Sequence, residues 1–167
     1  APAVITRDSA QKATVRAIKL TVPLTLDGVL DEAVYTREAA FGGLIQVAPD
    51  AGAPATERSD IWITYDDRNI YLSCRCYDAS PPAEWIVNEL RRDTGGLRNN
   101  EHIGVLFDTF YDRRSGFAFY TNPLGYWRCN CVSAHFISIR IGNLLASIIN
   151  CCMVIGESHK PFTFNRS

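Results

Sequence analysis

The chain has 167 residues, enough for one domain or one domain with a tail. Its 47% hydrophobic and 21% charged residues, at a mean hydropathy of −0.06, exclude a largely disordered chain, because that much apolar surface offsets the entropy of ordering. Seventeen basic against 18 acidic residues leave a net charge of −1, so no basic excess exists to draw a polyanion and nucleic acid is not an expected partner.

Residues 1–14 show neither the charged nor the apolar part of a leader, so no signal peptide is expected within the chain. Ala1-Pro2-Ala3 fits the remainder of a small-residue cleavage site, and equally an arbitrary boundary. Residues 18–26 read as a strand ended by the turn pair Asp27-Gly28. Residues 31–40 read as a short helix with acids in its first turn, where the helix dipole favours them. Residues 49–56 are an Ala/Pro/Gly loop. Ile61, Ile63 and Tyr65 then alternate with Trp62 and Thr64, the period-2 pattern of a half-buried strand. Asp66-Asp67-Arg68-Asn69 supplies turn formers, and alternation resumes from Ile70 to Cys76, which predicts a β-hairpin.

Residues 84–92 fit helix or strand equally. A second hairpin is expected from Ile103, Val105 and Phe107 through a turn at 111–116 to Phe117, Phe119 and Thr121. Asn122-Pro123 stops it, because proline cannot donate to a ladder. Several strands separated by turn signals, with at most one or two short helices, predict an all-β fold, an antiparallel β-sandwich of jelly-roll or immunoglobulin-like type.

The composition breaks after Gly125. Residues 126–167 hold a single acid, Glu157, yet four of the six cysteines and two of the three histidines. They are expected either as the last core strands, over 132–141 and 148–155, or as an ending foreign to the domain. Their apolar run over 141–156 is interrupted by Asn143, Ser147 and Asn150 and is shorter than the roughly 18 residues of a bilayer span, so no transmembrane span is expected.

The order of the pieces over about residues 15–125 resembles the family 9 carbohydrate-binding modules, in particular the family-9-like domain at the front of some large bacterial cell-envelope proteins. Leu26-Asp27-Gly28-Val29-Leu30-Asp31-Glu32 with Tyr35 is similar to that family's opening stretch. Gly52-Ala53-Pro54-Ala55-Thr56-Glu57-Arg58 is similar to its PATER loop, and Tyr65-Asp66-Asp67 with Tyr71-Leu72 to its YDD hairpin. Leu106-Phe107-Asp108-Thr109-Phe110 with Asp112-Arg113-Arg114-Ser115-Gly116, then Asn122-Pro123-Leu124-Gly125, complete the set. The resemblance implies a sugar-binding β-sandwich attached to glycan-degrading or envelope machinery, exported to the periplasm, the outer membrane or the medium. The tail after Gly125 matches nothing in the family.

A sugar site needs aromatic platforms for ring faces and charged or amide groups for hydroxyls. Trp62 and Trp85 are the platform candidates. Trp62 faces ligand or packs into the core, while Trp85 follows a Pro-rich loop. Arg91, Arg98, Asn100 and Glu101 are the polar candidates, against the plain alternative of a solvated polar turn. Family members clamp the sugar with a tryptophan just before the strand that here begins near His102, and this chain has Arg98-Asn99-Asn100-Glu101 instead. That departure leaves a second reading open, a structural or interaction β-sandwich without sugar binding. Asp108 and Asp112 are candidate calcium ligands, but without an EF-hand-like loop turn capping is the preferred reading. No nucleophile elbow, zinc-protease helix or phosphate loop occurs, so no catalysis is expected. The Cys74/Cys76 and Cys129/Cys131 pairs lack zinc-site spacing; Cys74 and Cys76, on one side of a strand, read as buried thiols, with disulfides as the alternative in an exported chain.

Overall fold

A computed structural model of the chain describes residues 4–9, 13–108, 112, 114–124, 126–133, 151–157 and 161–162. It belongs to the all-β class. Among the described residues are ten strands, one five-residue helix and two short 3-10 turns, and no helix is long and apolar enough to cross a membrane. Two compact units are present, Ala1–Ala79 with Asn143–Ser167, and Ser80–Gly142.

In the first unit, β1 (Ile5–Arg7) and β2 (Ala13–Val15) form an antiparallel ribbon. The central hairpin joins β4 (Ser59–Tyr65) to β5 (Ile70–Cys76), with Ile61 opposite Cys74, Trp62 opposite Ser73 and Ile63 opposite Leu72. Asp66 closes the turn. Its Oδ1 accepts the Arg68 and Asn69 N–H groups, each at 2.7 Å, and its Oδ2 accepts the Tyr71 hydroxyl at 2.6 Å. Burial opposes ionisation of this carboxyl, but the hydrogen bonds outweigh it and hold the pKa at about 2.

Three further strands extend that hairpin into a five-stranded sheet: β3 (Ile18–Lys19), β9 (Cys151–Glu157) and β10 (Pro161–Phe162), in the order β10-β9-β5-β4-β3. The sheet is mixed, which corrects the antiparallel expectation: β3 runs parallel to β4, and β9 parallel to β5. A tight turn forces antiparallel pairing only on the strands it joins, and β3 and β9 reach the hairpin through long connections.

The strand expected over 18–26 is only two residues long. Pro23 has no N–H for a ladder, and Leu24 and Leu26 pack against the core instead. The expected turn follows, with Gly28 at φ +82° and the Val29 N–H on the Asp27 carboxylate. The helix α1 spans Ala33–Arg37, and its first turn has no acid because Glu32 occupies the N-cap. Glu32 instead accepts the Thr25 N–H at 2.7 Å.

The strand β4 is covered on both faces, not one. Ile61 and Ile63 are buried on one face, Trp62 and Thr64 on the other. Trp62 packs with Leu30 and Tyr35, flanked by Ile18, Leu24, Leu26, Val34 and Ala40. This face of the sheet is closed by α1 and the irregular chain around it.

In the second unit, β6 (Ile103–Phe107), β7 (Ser115–Thr121) and β8 (Trp127–Ser133) form an antiparallel three-stranded sheet. The second expected hairpin is β6–β7, and β8 continues the same sheet beyond the break in composition. Of the two strands expected in the tail, β8 overlaps the first and β9 the second, while residues 134–150 lie outside the described residues.

Candidate functional site

The loop system between residues 80 and 102, in the second unit, carries most of the polar candidates. It starts with a 3-10 turn at Pro82–Glu84, where consecutive prolines remove two N–H groups and bar a longer helix. Residues 85–90 then run without regular pairing, and a second 3-10 turn at Gly95–Asn99 brings the chain back. Between them Asp93 adopts φ +58°, a left-handed conformation that Asp tolerates better than most residues. Thr94 caps the second turn by accepting the Gly96 N–H at 3.2 Å. The fully buried Leu97 anchors it.

Asn100 holds the two arms of the loop together. Its Oδ1 accepts the Asn88 N–H at 2.9 Å and the Glu89 N–H at 2.8 Å, while its Nδ2 donates to Asn88 Oδ1 at 2.9 Å. One residue on, the Glu101 N–H donates to the Ile86 carbonyl at 2.9 Å, which sets Glu101 beside the residue following Trp85. The Asn100 carbonyl accepts from His102 Nδ1 at 2.7 Å, so that nitrogen carries a proton. Asn122, fully buried, braces the arm from below: its Nδ2 donates to the Glu89 carbonyl, and its Oδ1 accepts the Leu124 and Tyr126 N–H groups. Arg128 adds a bond to the Thr94 carbonyl at 3.2 Å, and Asp93 accepts the Cys129 N–H.

On this frame Glu89 and Arg91 form a bidentate pair, Nε to Oε1 and Nη2 to Oε2, each at 3.1 Å. The Arg91 side chain is 81% exposed. Its side chain and backbone N–H hold the Glu89 carboxyl at about pKa 2, with a further bond from Thr94. Among the described residues the Arg91 bonds to Glu89 use Nε and Nη2, and Nη1 carries further N–H donors. Trp85 is partly exposed, and its Nε1 is buried with no acceptor among the described residues, so whatever the ring presents to solvent is hydrocarbon. Ile86 and Leu90 of the same segment are also exposed.

The candidates therefore divide. Trp85, Arg91, Asn100 and Glu101 belong to one hydrogen-bonded loop system. Asn100, however, is buried and spends its amide on the loop itself, so it positions other residues and does not face a ligand. The Arg98 side chain lies outside the described residues. Trp62 is corrected as a platform: it is 4% exposed, edge-on to Tyr35 at 5.2 Å between ring centres, with its indole N–H on the Glu38 carbonyl. Stacking needs an open ring face, and this ring has none.

Asp112 bonds to Asp108 and to the start of β7. Asp112 accepts the Arg114 and Ser115 N–H groups and the Ser115 hydroxyl, and its own N–H donates to Asp108. The Ser115 and Arg114 bonds hold the Asp112 carboxyl at about pKa 2. Among the described residues no group of three or more His, Cys, Asp or Glu is placed to hold a metal ion.

Sequence reasoning missed Glu89 and Asn122. The Asn122-Pro123 pair was legible as a strand stop, but its reach across 33 positions to Glu89 has no local signature. No protein-family model matches the chain, and neither a curated protein nor a solved structure matches it.

Proposed function

We propose that the chain is a non-catalytic carbohydrate-binding β-sandwich of the family-9-like class, part of the glycan-handling machinery of a bacterial envelope, and that it binds oligosaccharide through one platform, not a two-tryptophan clamp. The observation that carries this reading is the loop system that Asn100 ties together through Asn88 and Glu89, a segment that also carries Trp85, Arg91 and Glu101. Apolar ring surface beside a guanidinium and a carboxylate is the mixture that pyranose rings recognise. A single platform implies weak affinity, of the order of millimolar, because one stacked face replaces two.

A glycosidase acid needs a raised pKa, so Glu89, held in the opposite direction, does not suit that one role. The test is a screen of the folded chain against plant and bacterial wall oligosaccharides, with and without calcium. A competable signal lost in Trp85→Ala supports the reading. Silence from a folded chain favours the second reading, a structural or protein-docking β-sandwich, for which the burial of Trp62 is the specific argument.

A further inference from the structure

The C-x-C pair on β5 carries chemistry that sugar binding does not use. The two-residue period of a strand sets Cys74 and Cys76 on one face and Arg75 on the other. Their Sγ atoms stand 3.3 Å apart. Cys74 is fully buried, whereas Cys76, the last residue of β5, is partly exposed. Both are thiols.

We infer that Cys74 and Cys76 form an oxidisable dithiol, closed to a reversible disulfide by hydrogen peroxide. The partly exposed Cys76 sulfur attacks the peroxide O–O bond, gains one oxygen as a sulfenic acid, and water leaves. The Cys74 sulfur, already within the roughly 3–3.5 Å of a near-attack geometry, then attacks the Cys76 sulfur. The S–O bond breaks, and the Cys74 proton departs with the hydroxide as a second water. Two thiols lose two electrons in all, and hydrogen peroxide is reduced to two waters. The order follows from placement. Cys76 is the partly exposed member of the pair and Cys74 is fully buried, so peroxide reaches Cys76 first.

The bond closes against the strand. Residues two apart on an extended strand have Cα atoms about 6.6–6.8 Å apart, at the far end of the roughly 4.4–6.8 Å that disulfides span, so residues 74–76 must pucker. The other face resists this. Arg58 pairs with Asp60 at 2.7 Å and lies 5.1 Å over the Tyr77 ring. Tyr77 donates its hydroxyl to Asp60 and its N–H to the Arg58 carbonyl. Strained disulfides are the readily reduced ones, so this one acts as a labile modification and not as a staple.

The test treats the folded full chain with hydrogen peroxide, alkylates it, and weighs the peptide containing both residues. That peptide should be two hydrogens lighter and unalkylated, and dithiothreitol should restore it. Combining Arg58→Ala with Tyr77→Phe should speed closure several-fold by freeing the strand end, while the wild-type result stands alone if that variant does not fold. Cys74 and Cys76 both still alkylatable after peroxide would overturn the inference. So would pairing of either with another cysteine, or oxidation of Cys76 beyond sulfenic acid without closure.

Discussion

The Trp62 indole N–H donates to the Glu38 carbonyl oxygen at 3.0 Å, which ties the centre of β4 to the chain leaving α1. The same ring stands edge-on to Tyr35, whose hydroxyl meets Ser73 on the neighbouring strand at 2.8 Å. Helix and hairpin are therefore joined through two aromatic side chains whose polar ends are both satisfied.

That arrangement makes Trp62 a stability residue. Trp62→Ala should cost about 3–5 kcal/mol in urea unfolding, the range for a buried large aromatic. Trp62→Phe should cost less, about 1–3 kcal/mol, mainly from the Glu38 carbonyl left without its donor. Unchanged unfolding midpoints for both would contradict the packing described.

Asn122 should matter as much in the other unit. Asn122→Ala removes three side-chain hydrogen bonds from a fully buried position. A loss of about 2–3 kcal/mol is expected, since each stranded buried group costs about 1–3 kcal/mol and part of the loss relaxes. Hydrogen exchange should rise locally at the Leu124 and Tyr126 amides, which lose their acceptor.

The Glu89–Arg91 pair fixes a pH dependence. The Glu89 pKa is lowered from 4.5 to about 2 in the fold, so its contribution is complete above about pH 4.5 and disappears as pH falls through about 2. The carboxyl-carbon titration of Glu89 should show a midpoint near 2, moving up toward 4.5 in Arg91→Gln. A wild-type midpoint already near 4.5 would mean that the pair does not form in solution.

How much of this was legible in the residues depends on range. The hairpin at 59–76 could be read because alternation and an Asp/Asn turn are local signals, and Asp66 closes the turn through neighbours within five positions. Alternation could not say that both faces of β4 are buried, because that depends on α1 and the chain around it, which arrive from earlier in the sequence. Trp62 was ambiguous for the same reason. Parallel partners such as β9 leave no local mark either, since nothing in residues 151–157 specifies pairing with β5. In the loop, the polar run 98–101 was visible, but its split into a buried brace at Asn100 and an exposed Glu101 depends on contacts with 86–89.

Gly116 offers a sharp check on the β6–β7 register. A Cβ at this position would run into the Phe107 carbonyl oxygen, a backbone atom that cannot rotate away. Gly116→Ala should therefore destabilise the hairpin by about 1–3 kcal/mol, the usual cost of overpacking. Thermal unfolding of the variant measures it, and wild-type stability would place Phe107 elsewhere.

The central claim is that the 84–102 loop, through Trp85, binds sugar. Its most direct test is a two-dimensional amide and indole NMR titration of the folded chain with pooled plant- and bacterial-wall oligosaccharides, which detects millimolar binding. The account predicts saturable shifts of the Trp85 indole signal and of amides in 86–102, with the Trp62 indole unmoved. An unmoved Trp85 across the pools, or shifts clustered away from that loop, would contradict it.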